Sequence, residues 1–526
     1  MLVHEFLERS AGKYPDKTAF VCRDRRLTFS AIEKASNSLA HAIRDAGLVR
    51  GERAAIYLDP SVEAAVAVFG VLKADGVFIV INPQVKASKA SYILNDCQVK
   101  TLVTNASHLR EIGAELAACP HLKAVILTDY ERAAEKLPQI PGISYFSYKE
   151  ILDGFQDSQP GNRAIDIDLA SLIYTSGSTA QPKGVMLTHL NMVTAATSVS
   201  TYLENTPDDI VLNVLPLSFD YGLYQLLMAV KFGGTLVQER SFLYPYETID
   251  LLIKENITGF PIVPTVAAIL FKLKNLEDYA FPSLRYITNT AQALPPQYIE
   301  NLRRIFPKAR IYSMYGLTEC KRVSYLPPEE LDRRPTSVGK AMPNCETYIV
   351  DDEGNRVEEA GRTGELVVRG ANVMKGYWNL PEDTDRVLKP GPLPGEKVLY
   401  TGDLFKMDEE GFLYFVSRKD DILKVAGERI SPKEIETVLH GIDGVSEAAV
   451  IGVDDDILGQ AIKAFVVRDK GATLTEKDIT KYCSRHMENF MIPKYVEMRD
   501  SLPRSSHGKV DKKKLKSEAG TKNEIR

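Results

Sequence analysis

A chain of 526 residues is longer than one hydrophobic core can serve, so two or more domains are expected. With 44% hydrophobic and 26% charged residues, the composition is that of an ordinary soluble globular protein, which excludes a disordered or fibrous chain. Lys and Arg total 65 against 70 Asp and Glu, and a net charge of −5 gives no reason to expect nucleic acid or an anionic membrane surface as a partner.

The opening stretch MLVHEFLERSAGKYPDK carries charges among its apolar residues. It reads as the start of a soluble helix and not as a signal peptide. No apolar run approaches ~20 residues, so no membrane span is expected, and the location is read as cytoplasmic. Cys22, Cys97, Cys119, Cys320, Cys345 and Cys483 are scattered without a CxxC pair. That pattern fits reduced thiols better than disulfides or zinc ligands.

Short β-rich runs follow in order: AAIYL (54–58), VFIVI (77–81), TLVT (101–104), AVILT (124–128) and LIYT (172–175). A helical pattern starts at Ser61, in SVEAAVAVFGVLKADG. Alternating strand and helix signals predict α/β layers with largely parallel sheets. The pattern resumes with IVLNVLPL (210–217), TLVQE (235–239), LRYITNT (284–290) and ARIYSMYG (309–316). After about residue 340 the strands ETYIV and GELVVRG alternate with turns rich in Asp, Glu and Gly. KPGPLPGEKV (389–398) reads as an exposed loop. A smaller unit then carries strands near AAVIGV (448–453) and IKAFVV (462–467) and a helix in TEKDITKYCSRHMENF. The boundary is placed at RKDD, giving units 1–419 and 420–526. The final KSEAGTKNEIR is expected to fray.

The densest cluster of hydroxyl residues and glycine is YTSGSTAQPKG, Tyr174 to Gly184. It is not a Walker A loop: proline precedes Lys183, glycine follows it, and no hydroxyl remains there for magnesium. No serine has glycines two before and two after, which excludes a nucleophile elbow. Backbone N–H groups, Thr175, Ser176, Ser178, Thr179 and Lys183 can surround the oxygens of a polyphosphate. YTSGSTAQPKGVMLTH resembles the phosphate-loop signature of the adenylate-forming acyl ligases. That superfamily includes acyl- and aryl-CoA synthetases, amino-acid adenylation domains and firefly luciferase. The resemblance recurs in order along nearly the whole chain, in MYGLTEC (314–320), GELVVRGANVMKGYWN (364–379), YTGDL (400–404), SRKDDILKVAGERISPKEIE (417–436) and PRSSHGKVDKKKL (503–515).

This resemblance implies a large N-terminal multi-subdomain α/β domain, holding ATP and the acyl group, and a small mobile C-terminal α+β domain. It implies two steps, formation of an acyl-adenylate from a carboxylic acid and ATP, then transfer to a thiol with release of AMP. Thr175, Ser176, Gly177, Ser178, Thr179 and Lys183 would hold the β- and γ-phosphates, and Thr318 the α-phosphate. Glu319 would bind Mg²⁺, Asp403 the ribose hydroxyls, and Arg418 would support the ribose. Asn289, Thr290, Ala291, Gln292 and Tyr315 would lie on the adenine side. Lys509 would be the catalytic residue, bridging the attacking carboxylate and the α-phosphate. Asp420 would be the hinge of a domain rotation that withdraws Lys509 and brings Lys424 and Gly427 to the thiol channel. At Ala180 the family usually has glycine; where that position needs φ > 0, alanine costs roughly 1–2 kcal/mol.

The acyl pocket would lie between residues 216–224 and the segments around 286–293 and 312–316. It would include Phe219, Asp220, Tyr221, Tyr224 and Gly316. Amino-acid-activating domains also have phenylalanine then aspartate here, with the aspartate holding an ammonium group. A buried carboxylate is costly unless paired, so Asp220 either meets a cationic substrate group or is satisfied by local donors. The balance tips slightly towards a small amino or imino acid, passed to CoA or to the phosphopantetheine of a separate carrier protein. An acyl- or aryl-CoA ligase acting on a non-amino acid is the alternative, with a luciferase-like oxygenase a distant third. His189 is expected to be structural.

Overall fold

The computed structural model describes residues 1–134, 137–175, 181–290, 294–425, 428–455, 459–505 and 509–523. Among them, two large sheets form the N-terminal part. The first runs in the order Gly376–Tyr377, Lys183–Thr188, Leu169–Thr175, Val77–Val80, Arg53–Tyr57, Thr101–Thr104, Ala124–Leu127 and Ser144–Ser147. Its strands are parallel from Leu169–Thr175 onward and antiparallel at the phosphate-loop edge. In the second, Arg310–Tyr315, Tyr286–Asn289, Gly259–Ile262, Ile210–Asn213, Thr235–Gln238 and Thr18–Cys22 lie parallel, with antiparallel strands added at both ends.

Both sheets are covered by helices, as parallel sheets must be. Val62–Lys73 is buried along its whole length, and Ser61 caps it by accepting from the Ala64 N–H. His189, expected to lie near the helix of the phosphate loop, is the first residue of His189–Tyr202, with the strand Lys183–Thr188 intervening. Its Nδ1 accepts from the Val3 N–H at 3.1 Å. Burial pushes its imidazole down to about 4, so it is a neutral structural group.

An antiparallel sheet of Cys345–Val350, Gly364–Gly370, Lys397–Met407, Leu388–Pro390 and Leu413–Arg418 follows. The exposed 389–398 loop is the connection of its Leu388–Pro390/Lys397–Met407 hairpin. The C-terminal unit pairs Val445–Asp455, Gly459–Arg468 and Tyr495–Arg499. Helices Pro432–His440 and Glu476–His486 bury Ile435, Leu439, Ile479 and Cys483 on one face. Leu515 and Ala519, on Lys512–Asn523, bury against Ala449, Ile451 and Phe465 on the other. The expected architecture, a large α/β domain followed by a smaller α+β domain, is therefore present.

Two expectations are corrected. The 210–217 run ends as a strand at Asn213, because the Asn213 side chain bonds the Leu215 carbonyl and the Gln238 amide and Pro216 has no N–H to donate. The terminal KSEAGTKNEIR does not fray as a whole. It continues the last helix to Asn523, tied by the Arg499–Glu518 ion pair at 2.5 Å and by buried Ala519. The six cysteines are free thiols. Among the described residues, no helix is long and apolar enough to cross a membrane.

Candidate active site

The phosphate loop joins two antiparallel strands, with Thr175 paired to Lys183 at its base. Ser176, Gly177, Ser178, Thr179 and Ala180 lie outside the described residues. The Lys183 ammonium lies 3.1 Å from an Asp383 carboxylate oxygen and 5.3 Å from the Tyr377 ring centre. It is thus held at the mouth of the loop by a carboxylate.

Asp403 and Arg418 face each other across the Lys397–Met407/Leu413–Arg418 ladder, and Arg418 Nε donates to Asp403 Oδ1 at 3.0 Å. The Tyr315 hydroxyl donates to Asp403 Oδ2 at 2.6 Å. Asp403 is buried, and burial lifts its carboxyl above the ordinary value while the Arg418 charge opposes the rise. Tyr315, at the end of Arg310–Tyr315, sits edge-on to Phe405. Asn289 and Thr290 are buried at the end of the neighbouring parallel strand. Ala291 and Gln292 lie outside the described residues.

Between Arg310–Tyr315 and its antiparallel partner Ser324–Leu326, the chain turns through 316–323. Thr318 and Glu319 lie on this turn. The Tyr377 hydroxyl donates to Glu319 Oε1 at 2.8 Å. The Met374 N–H donates to the Glu319 carbonyl, and Asn372 Nδ2 donates to the Cys320 and Arg322 carbonyls at 2.7 and 2.9 Å. The GANVMKGY stretch therefore clamps the turn. Gly316 is required for its closeness, since a Cβ there would lie 2.3 Å from the Lys321 carbonyl oxygen. Among the described residues no cluster of three metal-ligating side chains occurs. One half-buried carboxylate, Glu319, fits a magnesium ion held mostly by phosphate and water.

The segments assigned to the acyl pocket lie side by side. Phe219 precedes the helix Asp220–Phe232, and the Tyr221 hydroxyl reaches the Thr288 carbonyl at 2.8 Å. Asp220 already has a cationic partner: Lys321 Nζ lies 3.3 Å from its Oδ2. Sequence reading weighed local donors for Asp220 but did not identify this one, which lies on the turn just after YGLTEC. Lys321 is 3% exposed, and burial pushes its ammonium down to about 7 against the pull of Asp220. Its φ of +53° places it in the left-handed region, a strain tolerated where surrounding contacts fix it. Its ammonium also lies 4.3 Å from the Tyr224 ring centre, and Tyr224 is fully buried. Tyr377, Asp383, Lys321 and Arg322 were all missed; the adjacent Lys-Arg after an apolar strand was the available signal.

Lys509 reaches this site from the small domain. Its carbonyl accepts from the Ser505 N–H at 2.7 Å, and Arg504 bridges to Val510. Arg504 also donates to Thr265 Oγ1 of the large domain at 3.2 Å. The Lys509 side chain keeps access to solvent, yet the protein around it pushes its ammonium below the ordinary lysine value. The charges of Asp220, Asp403 and Glu319 act to raise it and Arg418 to lower it, so these groups lie within electrostatic reach of Lys509. Asp420 lies in a single 3-10 turn, Lys419–Asp421, between Leu413–Arg418 and Leu423–Val425. Lys424 pairs with Arg429 in a two-stranded ribbon, and Gly427 lies outside the described residues.

Residues 7–378 match the family model of AMP-binding enzymes, and residues 434–509 match that of the AMP-binding enzyme C-terminal domain. The chain is 32% identical to the long-chain-fatty-acid–CoA ligase of Escherichia coli O157:H7, over 98% of this chain and 94% of that protein. Among solved structures it resembles ATP-bound MatB from Rhodopseudomonas palustris, with TM-score 0.86 and 27% identity, over 98% of this chain and 99% of that one. It also resembles the anthranilate CoA ligase AuaEII in complex with anthranoyl-AMP, with TM-score 0.89 and 26% identity, over 99% and 98%. The chain belongs to the AMP-binding enzyme family: it is an AMP-forming acid–thiol ligase that works with ATP and Mg²⁺.

Proposed function

We propose that this enzyme activates a carboxylic acid lacking an α-ammonium group and transfers it to the thiol of CoA. The observation that carries this reading is the ion pair between the partly exposed Asp220 and the buried Lys321. A carboxylate poised for a substrate ammonium would await its partner; Asp220 has one supplied by the protein. The slight preference for an amino or imino acid drawn from Phe219-Asp220 is therefore replaced by the alternative. The similar proteins named above as CoA ligases favour the same acceptor.

In this scheme residues 1–419 hold both substrates and residues 420–526 carry Lys509. Thr175, the 176–179 segment and Lys183 hold the β- and γ-phosphates, with Lys183 exchanging Asp383 for phosphate. Thr318 donates to the α-phosphate. Asp403 receives the ribose hydroxyls, held in place by Tyr315 and Arg418. Glu319 would hold Mg²⁺, which neutralises phosphate charge when bound. A substrate carboxylate oxygen attacks the α-phosphorus, the bond to the bridging oxygen breaks, and pyrophosphate leaves. Lys509 offsets the repulsion between the two anions as they meet. Rotation about Asp420 then exchanges Lys509 for the segment with Lys424 and Gly427. The thiol sulfur attacks the acyl carbon, AMP leaves with the electron pair, and the thiol proton passes to solvent.

The test is ATP–pyrophosphate exchange across fatty, aryl, dicarboxylic and amino acids, followed by thioester formation with CoA. Exchange with acids lacking an amine is expected. Exchange confined to amino or imino acids would overturn the reading of Asp220.

A further inference from the structure

Arg322 follows Lys321 on the 316–323 turn and has no part in the adenylation scheme. It is among the largest fully buried side chains, at 2% exposure. Its guanidinium lies 4.8 Å from the Tyr221 ring centre, and its Nε has no hydrogen-bond partner. Among the described residues its guanidinium forms no ion pair, and Asp220 is engaged by Lys321. Beside it the Tyr224 hydroxyl is also buried without a hydrogen bond. Both are donors, and a buried guanidinium without an anion is costly in a folded protein. With Asp220 engaged by Lys321, the Arg322 guanidinium has no carboxylate of its own and lies against a tyrosine ring.

The neighbouring groups do not supply the missing anion. The Tyr202 hydroxyl is directed to Met314 Sδ, and Tyr221 to Thr288. Glu319 is held by Tyr377, and Asp403 by Tyr315 and Arg418. The Arg322 backbone is held by Asn372, and its guanidinium lies against the Tyr221 ring.

We propose that the acid carries a second carboxylate, distal to the reacting one, which is received by Arg322 with the Tyr224 hydroxyl as a further donor. The enzyme would thus be a ligase for a compact dicarboxylic acid. This rests on the reading above that the substrate lacks an ammonium group. Lys321, shared between Asp220 and the pocket, adds to the positive field and repels cationic acids. A planar guanidinium is suited to such an end group, because it can donate two parallel hydrogen bonds to one carboxylate.

The test uses the full-length enzyme and ATP–pyrophosphate exchange. Linear diacids of increasing length are compared with the monomethyl ester of each and with unsubstituted monoacids and amino acids. A diacid should exceed its own monoester by about 10²–10³-fold in kcat/KM, since the ester leaves Arg322 unpaired. Arg322→Met should reduce that ratio to below about tenfold, and Arg322→Lys should restore part of it. Tyr224→Phe, which removes only the hydroxyl, should lower the ratio with little change in fold. Monoacids or monoesters used as well as diacids, no exchange with any diacid, or a ratio unmoved in Arg322→Met overturns the proposal. In the first of these cases the non-amino reading survives; exchange with amino acids alone defeats both.

Discussion

Replacing Asp220 by Asn removes the carboxylate opposite Lys321 and leaves an amide of nearly the same shape. Lys321 titrates at about 7 in the folded protein against 10.5 ordinarily, and Asp220 is the charge that holds it up against burial. That displacement corresponds to about 5 kcal/mol of destabilisation of the charged form. Between these two values the unfolded chain binds a proton the folded chain lacks, so stability rises with pH in wild type and variant alike. Below about 7 the wild-type Lys321 takes up its proton in the folded state and this dependence flattens. Without Asp220 the folded Lys321 stays neutral to lower pH, so the variant goes on losing stability as pH falls. The difference should be small near about pH 8 and grow by about 1.4 kcal/mol for each pH unit below about 7. Urea unfolding of both proteins from about pH 8.5 to 5.5 measures it, with groups common to both cancelling in the difference. Parallel curves across that range would refute the assignment of the buried charge to this pair.

Lys509→Ala should reduce pyrophosphate exchange by about 10²–10³-fold, yet leave thioester formation from a supplied acyl-adenylate within a few-fold. Equal loss in both half-reactions would refute a two-posture small domain. Gly316→Ala should destabilise by about 1–3 kcal/mol and raise the acid KM, because its Cβ would displace the Lys321 carbonyl; an unchanged KM in a folded variant would count against this turn as a pocket wall. His189 titrates at about 4 when folded and 6.5 when unfolded, so its contribution is lost as pH falls through that window, up to about 3 kcal/mol. His189→Asn keeps an acceptor for the Val3 N–H and should lose less stability between about pH 7 and 5 than wild type; an equal loss would place the acid sensitivity elsewhere.

The layer pattern of the fold was legible because local signals agreed with tertiary burial. TLVT is a strand from Thr101 to Thr104 and GELVVRG one from Gly364 to Gly370, as their apolar β-rich character predicts. Legibility failed where a side chain decided the outcome. IVLNVLPL reads as one strand until the Asn213 side chain turns back onto the chain. The last helix has only Leu515 and Ala519 as buried contacts, too sparse a pattern to stand out in KSEAGTKNEIR. The candidate nucleotide-side residues were legible because they lie in contiguous motifs. Asp220 could be located but not interpreted, since its partner lies 101 residues further along the chain.

The 316–322 turn carries both Glu319, the candidate metal ligand, and the Lys321–Arg322 pair beside Asp220 and Tyr221. Glu319 leaves it towards Tyr377, while Lys321 and Arg322 leave it towards Asp220, Tyr221 and Tyr224. Asn372 and the Met374 N–H hold the backbone between these branches, so neither can shift without straining the other. Such a turn cannot adapt to a new acid by sliding. It can adapt only by exchanging the side chains at 321 and 322 while the 316–320 path stays fixed. The same rigidity gives a positive φ at Lys321 a reason to persist: a relaxed backbone there would move the Lys321 ammonium off Asp220 and the Arg322 guanidinium off Tyr221. On the dicarboxylate proposal, selectivity then resides in two cations placed by a turn whose course is fixed by Asn372 and the Met374 N–H.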